Sequence, residues 1–179
     1  MALIVEDGTG LSTAEAYVSV VDADAYFAKF GGASDTWVAL SESGKEVHLR
    51  KATRFVDAEF GSASLGKSWR GCRGTAAQAL DFPRAGLVDD DGFALDSSGA
   101  ASIPQKLKDT VAILADKSAS ADLLPDLTSP STIKSKSVKV GSIAVKTEYE
   151  QAAEPLAMYT LAERLLSGLL RSSYDMVRG

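Results

Sequence analysis

Three stretches of the chain repeat their apolar residues at the helical period. Leu49, Ala52, Thr53, Val56 and Phe60 form one stripe, with Arg50, Lys51 and Arg54 off it. Leu107, Val111, Leu114 and Ala115 form a second, and Met158, Leu161, Ala162, Leu165 and Leu169 a third. A helix with one apolar stripe must bury it against another element, so the three predict a packed helical bundle. Ser41 or Ser43 caps the first, and Ser102 with Pro104 in the first turn opens the second. The third starts from about Pro155. Two shorter helices precede them. One is capped by Asp22, runs through Ala25, Tyr26 and Phe27 and stops at Gly31 and Gly32; the other holds Trp37 and Leu40.

Residues 133–149 change the period to two. Ile143, Val145, Thr147 and Tyr149 alternate with Ala144, Lys146 and Glu148, and Val140 and Gly141 supply a turn, so a β-hairpin is expected. Residues 1–20 combine a short apolar run with Asp7, Gly8 and Gly10 and read as an extended arm. The expected class is mainly α: a compact helical bundle with a protruding β-hairpin and extended terminal arms. One domain spans residues 1–179, with an arm (1–20), a helical core (21–122), the hairpin (131–149), a C-terminal helix (154–171) and a tail (172–179).

Composition narrows the chemistry. The chain has 45% apolar and 24% charged residues, close to the globular average, and no stretch as long as a membrane span. Residues 1–10 contain Glu6 and Asp7 and no basic residue, unlike a secretory signal, and the expected location is intracellular. The single Cys72 has no partner for an internal disulfide and cannot alone supply the four ligands of a structural metal. The single His48 sits in the first long helix with no nucleophile near it in sequence. Asp89, Asp90 and Asp91 before Gly92 would put Leu87 and Ser98 at the first and twelfth positions of a calcium loop, where acids are required, so this is an Asp-Gly turn. No glycine pattern matches a phosphate-binding loop or a dinucleotide fingerprint. The expectation is a protein that is not an enzyme and carries no cofactor or metal.

Between the first two long helices lies a run rich in residues that bend or anchor a chain: Trp69, Arg70, Gly71, Arg73 and Gly74, then Gln78, Ala79, Leu80, Asp81, Phe82, Pro83 and Arg84. A solvated linker would favour Ser, Glu and Lys, so this composition predicts a fixed loop. Trp69, Arg70, Phe82 and Arg84 are types that carry interface energy when buried between molecules, and with Tyr174 and Met176 of the tail they are candidates for a contact with another subunit. The competing reading is that the two rings plug the end of the bundle.

The formal charge is −5, yet no acid occurs between Asp126 and Glu148, where Lys134, Lys136, Lys139 and Lys146 lie. They are candidates for contact with DNA or another polyanion. Lysines that keep a strand edge from pairing would give the same pattern.

The order of motifs resembles a family of small tailed-phage proteins, often labelled DnaT-like single-stranded DNA-binding proteins and similar in layout to head-tail connector adaptors. The resemblance rests on Val5 to Gly10, on Ala16, Tyr17, Val18 and Ser19 leading into Ala23 to Phe27, on the seven residues from Lys51 to Asp57, on Trp69, Arg70 and Gly71, on Gln78 to Arg84, and on Ile103 and Pro104. Phe82 stands where the pattern has tryptophan. The resemblance implies a structural adaptor, a ring of identical subunits, twelvefold in the usual case, docked on the portal and meeting the tail or a tail-completion protein. Its place would be the head-tail junction of the virion after synthesis in the host cytoplasm. Trp69, Arg70, Phe82, Arg84, Tyr174 and Met176 would then face a subunit or the portal, and the lysines the DNA channel. The label implies the alternative, a single-stranded DNA-binding accessory of replication.

Overall fold

A computed structural model of the protein describes residues 2–61, 67–88, 94, 103–123, 135–140, 143–148 and 159–171, the two strands 135–140 and 143–148 by their backbone. The chain divides into two compact units, residues 1–123 with 159–179, and residues 124–158.

The first unit is helical: α1 (Val20–Phe30), α2 (Asp35–Ala39), α3 (Glu42–Phe60), α4 (Gln105–Ser120) and α5 (Thr160–Leu166), which runs into a 3-10 turn at Ser167–Leu169. The long stripes lie where their spacing puts them. Leu49, Ala52, Thr53, Val56 and Phe60 of α3 and Leu107, Val111, Leu114 and Ala115 of α4 are all buried. Helix α4 packs against α1, α2, α3 and α5 and forms the centre of the unit. It also buries polar residues, each with a partner. Asp116 accepts hydrogen bonds from the Ser34 amide (2.8 Å) and hydroxyl (2.7 Å), and Ser34 Oγ in turn caps α2 by accepting from the Trp37 amide. His48 is half-buried on α3, its Nδ1 2.8 Å from Ser118 Oγ, which makes it a structural contact between α3 and α4.

Three helix ends differ from expectation. Ser19, not Asp22, caps α1: its hydroxyl accepts from the Asp22 amide and donates to the Asp22 carboxylate at 2.8 Å. Ser19 and Asp22 thus stand in capping-box spacing, and the acid belongs to the first turn. Pro104 is itself the cap of α4, and Ser102 lies outside the described residues. In α5, Ala162 and Leu166 are buried with Leu169 beyond them, while Leu161 is 56% exposed. After Leu166 the helix tightens at Ser167 and the chain then turns extended, where Leu170 pairs antiparallel with Trp69.

Residues 2–19 contain no helix and fold back on themselves through bends at Gly8 and Thr9 and a turn at Ser12 and Thr13. Val5 bridges Ala16, and the Glu6 carboxylate accepts from the amides of Gly8, Gly10 and Leu11, closing the loop on itself. Ala16, Tyr17 and Val18 enter the chain's own core. A bridge between Val88 and Ala94 flanks the expected Asp-Gly turn, whose residues 89–93 lie outside the description.

The second unit contains the hairpin of β3 (Ser135–Val140) and β4 (Ile143–Glu148). The antiparallel register pairs Val140 with Ile143, Val138 with Val145 and Lys136 with Thr147, and, on the other parity, Lys139 with Ala144 and Ser137 with Lys146.

Candidate nucleic-acid interface

The glycine that ends α3 is required by what crosses it. A Cβ on Gly61 would collide with the Asp81 carboxylate and the Asp57 carbonyl, so only hydrogen lets the loop lie against the helix end. The chain returns at Lys67, and Trp69 and Leu170 form a bridge whose neighbours are closed by Arg70 N to Leu169 O and Arg171 N to Ser68 O, both 2.8 Å. Gly71, at φ 67°, then turns the chain beneath the Ala85 carbonyl. There β1 (Cys72–Arg73) pairs with β2 (Arg84–Ala85), which sets Arg73 directly opposite Arg84. Between these strands, Gln78 staples the loop. Its side chain accepts from the Thr75 amide and donates to the carbonyls of Leu80 and Pro83. The peptide bond between Phe82 and Pro83 is cis.

Trp69 and Phe82 point inward. They are 2% and 0% exposed, meet edge to face with centroids 5.0 Å apart, and continue into Phe60 on one side and Tyr17 on the other. A contact with another molecule through these rings is therefore corrected to a core role: the loop folds its apolar members under the strand pair and plugs the bundle. Its polar atoms join a buried network. Tyr17 donates through its hydroxyl to Asp57 at 2.7 Å and accepts from the Phe82 amide at 3.1 Å; Trp69 Nε1 donates to Asp81 at 3.0 Å; and the Asp81 amide reaches Asp57 at 3.3 Å. Burial, strengthened by the nearby Asp81 charge and opposed by the Tyr17 hydrogen bond, raises the Asp57 carboxyl to about 7. Burial and the Asp57 charge push the Tyr17 hydroxyl well above its ordinary value.

What the loop leaves outside is basic. Arg84 donates through Nε to the Arg70 carbonyl (2.8 Å), through Nη1 to Asp81 O (3.3 Å) and through Nη2 to Gly71 O (3.0 Å). Arg73 donates through Nη2 to the Gln78 carbonyl. Arg84 is half-buried, while Arg73 and Arg171 are exposed. Desolvation lowers the Arg84 pKa, the charges of Arg171 and Arg73 lower it further, and Asp81 opposes them. Arg70 is half-buried, with its amide in the bridge to Leu169. No local sequence pattern marks Arg73 and Arg171 as site residues: they lie nearly a hundred positions apart, and only the strand pairings unite them.

Of the lysine candidates, Lys139 and Lys146 stand on one face of the hairpin at diagonal register positions, and Lys136 on the other. Lys134, Tyr174 and Met176 lie outside the described residues. Among the described residues no group of three or more His, Cys, Asp or Glu is placed to hold a metal ion, and no helix is long and apolar enough to cross a membrane.

No curated protein and no solved structure matched the chain. A family model described as "Putative DnaT-like ssDNA binding protein" matches residues 1–179, its whole length. The chain belongs to that family.

Proposed function

We propose that this protein binds single-stranded DNA through its phosphates, with little base preference, and catalyses no reaction. The observation that carries the reading is the family match over the entire chain. The type of contact follows from the side chains. Single strands are held by stacking their bases on exposed rings and by cations on their phosphates; here Trp37, Trp69, Phe27, Phe60, Phe82 and Tyr17 are all buried and Phe30 is the one exposed aromatic among the described residues, which leaves phosphate as the main contact. Lysines 136, 139 and 146 lie in a segment without acids, which suits phosphate contact even on a chain of charge −5.

Fluorescence anisotropy with dT and dA oligonucleotides of equal length, titrated from 50 to 300 mM salt, tests this. Both should bind with similar affinity, and affinity should fall steeply with salt. Replacing Lys139 and Lys146 by Ser should reduce the slope of log affinity against log salt by about 1.4, at about 0.7 for each phosphate that is no longer neutralised. The melting temperature should stay within about 2 °C, as for substitutions outside the core. No binding at 50 mM salt would rule the reading out.

The hairpin favours a second reading. Among the described residues the two strands pair only with each other, which leaves each an outer edge able to accept a strand from a neighbour, the sort of contact that closes a ring. In that reading the chain is a head-to-tail adaptor in the virion, a ring on the portal that meets the tail, with DNA passing its lysines. Mass photometry with and without the portal separates the two. A ring that forms on the portal supports the adaptor, and a particle that ignores the portal and binds oligonucleotides removes it.

A further inference from the structure

Two like charges directly opposite in an antiparallel pair repel, and a two-residue ladder offers little to offset them. Arg73 and Arg84 stand in just that position, and Arg171 emerges beside them, next to the strand whose carbonyl at Arg70 holds Arg84. Among the described residues three other cations of the helical unit are neutralised by acids: Lys45 by Asp24 at 2.8 Å, Arg50 by Glu15 at 2.9 Å, Lys67 by Glu59 at 2.8 Å. At this corner the side-chain partners are carbonyl oxygens, which orient a guanidinium without cancelling its charge. Asp81 offsets part of the Arg84 charge while its Oδ2 also accepts from Trp69 Nε1. Among the described residues the three guanidinium groups outnumber the acids beside them, so the corner keeps a net positive charge.

The donors that remain define the ligand. A guanidinium has five N–H groups. Arg84 spends three on the loop and keeps one on each terminal nitrogen, in the fork that fits two oxygens of one phosphate. Arg73 keeps four, and no ion pair or side-chain hydrogen bond engages the Arg171 guanidinium among the described residues. The scaffold is fixed before any ligand arrives, by the Gln78 staple beneath Arg73 and the buried rings beneath Arg84.

We propose that Arg73, Arg84 and Arg171 form a phosphodiester-binding site, separate in sequence from the lysine hairpin, that holds the backbone of a single strand. The inference rests on the DNA-binding reading above and names where the helical unit takes part in it. Arg84 orients and contacts the phosphate from the base of the corner, while Arg73 and Arg171 supply charge from its rim.

Arg84 anchors the loop, so the test uses Arg171→Gln, which removes no side-chain hydrogen bond among the described residues, and the double variant R73Q/R171Q. Binding of a dT oligonucleotide is measured by anisotropy across salt, with melting temperature recorded for each protein. The expected result is about a tenfold loss of affinity at 100 mM salt for the double variant, with the slope reduced by about 1.4, and about half that reduction for Arg171→Gln. Wild-type protein that binds, beside a double variant with unchanged affinity and slope, overturns this site and leaves the DNA reading standing. Wild-type protein that binds no oligonucleotide at 50 mM salt overturns both. Displacement of the oligonucleotide by a poly-glutamate peptide as readily as by an equal charge of unlabelled dT also overturns the assignment, in favour of an acidic protein partner.

Discussion

Replacing Phe82 by alanine is expected to lower the unfolding free energy by about 3–5 kcal/mol, which for a domain of this size moves the melting temperature by roughly 10 °C. The ring is wholly buried and stands edge-on to both Trp69 and Tyr17. The cost of such a truncation depends on how far the surroundings can close the gap. Here they are held: Tyr17 by its bond to Asp57, Trp69 by its bond to Asp81, and the loop backbone by Gln78. The loss should therefore fall in the upper part of the range. Phe82→Leu, which keeps most of the volume, should cost well under half as much. Urea unfolding followed by circular dichroism measures both. A loss below about 1 kcal/mol for the alanine variant would mean that the ring is not part of the core, and would return it to the interface role that its residue type suggests.

The two meanings of that loop could not be separated in the sequence. Trp, Phe, Arg and Pro in a short connection announce a fixed structure, but the side of the loop that faces the bundle is set by partners far along the chain. Tyr17 reaches Asp57 and the Phe82 amide across 40 and 65 residues, and no local pattern encodes either bond. The stripes of α3 and α4 were legible because a helix fixes the relative direction of residues three and four apart, so spacing alone selects the buried side. The hairpin was legible for the same reason at period two, and its register pairs Val140 with Ile143. The cap of α1 was present as Ser19 and Asp22 three residues apart, a pattern in which the hydroxyl is the cap and the acid its reciprocal partner. The arginine corner left no local signal. Its members come from three segments, and only the pairing of Arg73 with Arg84 and of Trp69 with Leu170 shows that their charges converge.

The same network makes stability depend on pH in an uncommon direction. Asp57 titrates at about 7 in the fold and near 3.8 once unfolded, so between these values the folded chain holds a proton that the unfolded chain has released. Stability from this group is therefore greatest at low pH and falls by about 1.4 kcal/mol per unit as pH rises towards 7, about 4 kcal/mol in all, then levels off. The groups that set the shift besides burial are Tyr17, Asp81 and Arg73. Asp57→Asn removes the titration. It keeps an acceptor for the Tyr17 hydroxyl but turns an amide donor towards the Asp81 N–H, at a cost of about 1 kcal/mol. The two proteins should then be about equally stable near pH 4.5, and the variant the more stable by about 3 kcal/mol at pH 8. His48 also titrates in this range, its pKa lowered by burial, and loses stability as pH falls, but it is common to both proteins and cancels in their difference. Urea unfolding of the pair at half-unit steps from pH 4.5 to 8.5 reads that difference directly. Curves that run parallel would mean that Asp57 is ionised throughout. The anchor between α3 and the arginine-bearing loop would then be a charged one, indifferent to neutral pH.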